Sequence, residues 1–147
     1  MALNHKPVFA NVLNNSQKTL SVAKTTFTVE ATPTDSTSFR ELITAPVGGC
    51  VITRLQYQFI LTTGTPITAA CLLNIWLTNT SGTNAIVLKS IQILATAAMT
   101  TTNPGACNTE FFEQFNIQQG QKVFVSVTAL TANTECNVFL FGGNLEE

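Results

Sequence analysis

The clearest hydrophobic pattern in the chain lies between Phe111 and Phe141. In Lys122-Val123-Phe124-Val125-Ser126-Val127 three valines occupy every second position, the period of a strand with one face buried. In residues 136–141 both parities are apolar, which predicts a strand covered by a second sheet on one face and by a partner or loop on the other. Upstream, Leu55, Tyr57, Phe59 and Leu61 alternate with Arg54, Gln56, Gln58 and Ile60. Cys71, Leu73, Ile75 and Leu77 share a second face, and Trp76 lies on the opposite parity with Leu72, so it belongs to another contact surface. Further strands are expected over residues 27–30, 39–44 and 86–94.

Turn chemistry separates these segments. Residues 32–36, 46–49, 63–66 and 79–84 are rich in Gly, Pro, Asn, Ser and Thr, 79–84 reads as a hairpin loop, and Gln118-Gln119-Gly120-Gln121 joins two further segments. Gly142 and Gly143 read as turn glycines, and residues 95–108 as a long loop of low charge. About eight short strands with regular turn signals and no long helical period predict an all-β fold, a sandwich or barrel. We expect one domain, with an N-terminal arm over residues 1–18 and an eight-stranded antiparallel β-sandwich over 19–147. The arm has no clear period, yet residues 7–13 are too apolar to stay solvated. Val8, Phe9, Val12 and Leu13 are therefore candidate assembly contacts, packing either on their own domain or on a neighbouring subunit.

Composition narrows the partners. Only 10% of the 147 residues are charged, against about 25% in a typical domain, and the net charge is -1. Such a chain has no field to draw nucleic acid or an anionic membrane, and its weak self-repulsion favours association. No signal sequence opens the chain and no apolar run approaches a bilayer span, so synthesis in a cytoplasm is expected. Cys50, Cys71, Cys107 and Cys136 form no close pair and read as small buried hydrophobes; Cys71 and Cys136 could meet across a core, but spacing alone does not fix a pairing.

The reactive inventory is short. The single histidine, His5, lies in the arm and the single aspartate, Asp35, in a turn, so a nucleophile would have to borrow its base from a terminus. No spacing suggests a metal site or a cofactor. Glu113 shares parity with Phe111 and Phe115 and is expected to face inward against Arg40 or Arg54. We expect no enzyme. Trp76 is the candidate for stacking on a sugar, with structural packing as its alternative.

The closing residues carry a resemblance. Residues 111–127, with their aromatic strand, Gly turn and Lys122-Val123-Phe124-Val125-Ser126-Val127, then Cys136-Asn137-Val138 and Gly142-Gly143, resemble the carboxy-terminal pattern of small structural proteins of tailed bacteriophages and prophages. Residues 40–55 and 73–79 are similar to their middle part. The resemblance implies a non-enzymatic virion component of jelly-roll type, made in the host cytoplasm, that decorates a head or sits in a tail or fibre. Its expected partners are copies of itself, a trimer favoured, and other virion proteins. The alternative is a carbohydrate- or host-receptor-binding module that meets a host surface glycan.

Overall fold

The period-two segments become strands because alternate apolar side chains can be buried together only when the backbone is extended. The computed structural model describes residues 12–26, 28–61, 70–95, 108–131 and 133–145. Among these residues eight strands are formed: β1 (Val12–Leu20), β2 (Arg40–Thr44), β3 (Cys50–Leu61), β4 (Cys71–Leu77), β5 (Ile86–Ile93), β6 (Asn108–Ile117), β7 (Lys122–Val127) and β8 (Thr134–Asn144). They make two four-stranded antiparallel sheets, in the orders β1-β8-β3-β6 and β2-β7-β4-β5. The all-β, eight-stranded sandwich expected from the sequence is thus formed, and its strand order is that of a jelly roll.

The chain changes sheet at every connection except β4 to β5. At that hairpin, the Ser81 and Thr83 backbone N–H groups donate to Asn79 Oδ1 at 3.1 and 2.9 Å, and Asn84 adopts a φ of 52°. The turn over residues 118–121 is a corner between sheets. There the Gly120 N–H donates to the Ala45 carbonyl at 3.1 Å, and its φ of 81° is one that side chains disfavour.

The core lies between the sheets. Ile52, Leu55 and Phe59 of β3 and Cys136, Val138 and Leu140 of β8 face Leu73 and Ile75 of β4 and Val123, Val125 and Val127 of β7, all buried. Each fully buried side chain of this size contributes roughly 1.5–3 kcal/mol relative to exposure. A β-bulge in β3 lies at Thr53, between the pairs Ile52–Gly142 and Arg54–Phe141.

Several expectations need correction. Of residues 27–30, Phe27 lies outside the described residues, and among residues 28–30 only Glu30 pairs, in an isolated bridge to Ala85, where the sequence predicts a strand. Gly142 and Gly143 sit inside β8, paired with Ile52 and Val51 on one side and with Asn14 and Leu13 on the other. A Cβ on Gly142 would stand 2.2 Å from the Val51 carbonyl oxygen, so that position has room only for glycine. Residues 12–18, expected in the arm, run in β1 along β8, from Val12 opposite Asn144 to Leu20 opposite Cys136. In β6 a single parity does not carry through, because the register with β3 shifts between Phe115 and Phe111.

Candidate assembly surface

The outer faces of the two sheets differ. Over β2-β7-β4-β5 the connection between β1 and β2 forms a third layer, tied by Lys24 N–H to the Val127 carbonyl at 2.8 Å and by paired backbone bonds between Glu30 and Ala85 at 3.0 and 2.8 Å. Under it lies a second buried cluster of Phe39, Trp76, Ala85 and Phe124. Phe39 stacks on Phe124 with centroids 4.6 Å apart and meets Trp76 edge-on at 5.3 Å. Lys24 closes the layer. Its ammonium lies 5.0 Å from the Phe39 centroid and 2.7 Å from Glu30 Oε2.

Trp76 is therefore on the second surface that its parity implied, but that surface is covered by the chain itself. The indole is 0% exposed and its Nε1–H donates to Ser126 Oγ at 2.9 Å. No ring face is open to a sugar in this fold, so Trp76 is a packing residue here and the stacking role is corrected accordingly.

At the seam between the edge strands β1 and β2 an open cleft of about 520 Å3 is lined by Ser16, Lys18, Asp35, Glu41 and Thr44. Asp35 is held by Lys18 at 3.6 Å, by Arg40 at 3.5 Å and by the Glu41 N–H at 3.0 Å. Glu41 in turn meets Lys122 at 3.1 Å and accepts from Thr44 Oγ1 at 2.5 Å. A chain with seven basic and eight acidic residues has put five of them at this seam. The carboxylates are committed to cations and backbone, which makes the cleft a charged rim.

Among the described residues no three His, Cys, Asp or Glu side chains are gathered to hold a metal. Cys50, Cys71 and Cys136 are free and buried, and burial pushes each thiol up. Cys136 is raised further by Cys71, and both belong to the core between the sheets. Tyr57 is also pushed up, first by burial and then by Glu110 and the two thiols. His5, Val8, Phe9 and Cys107 lie outside the described residues. Of the remaining candidate contacts, Val12 and Leu13 are placed by their backbones opposite Asn144 and Gly143. Glu113 lies in β6; the cations expected beside it have other partners, Arg40 at Asp35 and Arg54 4.1 Å from the Phe141 ring centroid.

Two regions are left for contact. On the outer face of β1-β8-β3-β6, Phe139 and Phe141 are half-buried beside Gln17 in a cleft of about 180 Å3, and the described residues form no buried cluster on that face. The second region is β5, at the end of its sheet, where Ile86 is 53% and Leu88 43% exposed, followed by Leu94 at 68%. The sequence predicts β5 as a strand, but reasoning from it assigned that strand no contact. The signal was there: Ile86-Val87-Leu88 is apolar on both parities, which only a second covering could bury.

Two solved viral structures are similar to this chain. One is the capsid of Ralstonia phage GP4, at 17% identity and a TM-score of 0.45, over 97% of this chain and 90% of that one. The other is the T13 IBDV viral particle, at 11% identity and a TM-score of 0.30, over 89% of this chain and 31% of that one. No family model matches the chain, and no curated protein does.

Proposed function

We propose that this chain is a structural protein of a virion, acting by self-association and by attachment to the particle. The observation that carries the proposal is the combination of a jelly-roll strand order with an interior filled by Ile, Leu, Val and Cys. Handed a jelly roll, one must choose among capsid, lectin and metal-binding uses, since the fold alone does not select a function. A sugar-stacking use lacks its tryptophan, which is enclosed. An interior metal site would need several ligating side chains pointing inward, where this core presents aliphatic ones and thiols raised by burial.

In this reading the chain forms a closed oligomer, a trimer favoured, on a head surface or in a tail or fibre. Val8 and Phe9 of the N-terminal stretch dock on a neighbouring subunit or on the particle. Each contact is modest, so hold on the particle comes from repeated copies.

The test is mass spectrometry of purified virions from the genome that carries this chain, together with the solution mass of the purified protein. Presence in the virion at a fixed copy number and a concentration-stable oligomer are expected. A strict monomer absent from virions overturns the proposal. Deleting residues 1–11 should lower assembly and leave the β-sheet circular dichroism and melting unchanged.

A further inference from the structure

We infer that the free edge of β5 is a two-fold contact at which a second copy of this chain adds its own β5 in antiparallel pairing. This rests on the assembly reading above and specifies one of its surfaces. Among the described residues the order of the sheets leaves four edges, and natural proteins blunt such edges with charge or shortness because unpaired backbone groups recruit other strands. Three of the four are blunted. β1 carries Lys18 beside the charged seam, β2 is five residues long with Arg40 and Glu41, and β6 contains Glu110 and Glu113.

β5 is different. It runs for eight residues with one charge, Lys89, whose ammonium is bound by Glu110 and lies 5.6 Å from the Phe112 centroid. Beyond the Glu30–Ala85 bridge at its start, no described residue pairs with its outer side. A bulge against β4 leaves Leu88 as the extra residue and turns it outward. Three of the six large apolar side chains exposed among the described residues are here: Ile86, Leu88 and Leu94.

The occupant is a second copy because the strand is complementary to itself. With its charge already neutralised, two β5 strands meet without like-charge repulsion. Pairing centred on Ser90 sets Ile86 of one copy opposite Leu94 of the other, and Leu88 opposite Gln92. An isologous contact of this kind joins two closed oligomers as readily as two single chains.

The full-length chain tests this. Ile86→Lys with Leu88→Lys should halve the solution mass while leaving circular dichroism and melting unchanged. In a Cys107→Ser background, Ser90→Cys should give covalent pairs on a non-reducing gel under mild oxidation, because directly opposed residues have Cβ atoms about 4.5–5.5 Å apart. Gln92→Cys should not, since two copies of residue 92 stand well apart in this register. Covalent pairs from Ser90→Cys together with a halved mass support the contact. An unchanged mass, or no covalent pairs, overturns it. If the protein is then still an oligomer, assembly stands and only the β5 contact falls; if it is a monomer absent from virions, both fall.

Discussion

Replacing Phe39 by alanine probes the layer that the β1–β2 connection lays over its sheet. Phe39 is 3% exposed although it follows a long connection, and its ring stacks on Phe124 and meets Trp76 edge-on. Truncating a buried phenylalanine costs about 3–5 kcal/mol, and each aromatic pair accounts for roughly 0.5–1.5 kcal/mol beyond its area. Against a total stability of about 5–15 kcal/mol the variant should remain folded but lose about 10 °C or more in melting temperature. Phe39→Leu keeps most of the volume and removes both ring contacts, so it should cost roughly 1–2 kcal/mol. The assay has a built-in reporter, since Trp76 is the only tryptophan. Urea unfolding followed by its fluorescence gives the stability, and the emission of the folded state reports whether the indole has been uncovered. Phe39→Ala should shift that emission to the red before unfolding, with β-sheet circular dichroism retained. A cost below about 1 kcal/mol with unmoved emission is what a surface loop residue would show, and it would refute the covered-face account.

Three further outcomes follow from the same contacts. Gly142→Ala should destabilise by at least about 2–3 kcal/mol in thermal melts, because its Cβ would meet the Val51 carbonyl oxygen and two paired strands leave it nowhere to move; wild-type melting would show the approach to be relaxed. The thiols set a pH dependence: burial raises Cys50, Cys71 and Cys136 above their ordinary 9.0, so the unfolded chain loses protons that the fold retains, and stability should hold below pH 9 and fall above it. Urea midpoints at pH 7.5 and 10 read this, and Cys136→Val should flatten the slope. Asp35→Asn should cost no more than about 1 kcal/mol in urea unfolding, as its ion pairs are partly exposed; a loss of 3 kcal/mol would mean that the seam supports the fold rather than rims it.

Much of the fold was legible because burial on one face imposes alternation. The valines of β7 and the two parities of β4 show it plainly, and Trp76 was rightly set apart from Leu73 and Ile75. What covered Trp76 was not legible, since Phe39 and Phe124 come from distant segments and nothing local links them. The assignment of strands to sheets was hidden for another reason. A glycine at positive φ serves a hairpin and a corner between sheets equally well, and Gly120 makes the second. Gly142 looked like a turn because its constraint is a carbonyl on another strand. β1 was read as an arm because its middle, Asn14-Asn15-Ser16-Gln17, is polar; a strand paired on one side only needs little apolar alternation to hold its place.

The pairing of the first strand with the last has a consequence for how the molecule comes into being. Val12 lies opposite Asn144, and among the described strands β8 alone joins β1 to β3. During synthesis β1 therefore has no strand to pair with until β8 has been made, and closing so wide a loop places this topology among the slow folders, in the millisecond-to-second range. Until then the nascent chain exposes apolar strands and unpaired strand edges, so association between unfinished copies competes with folding.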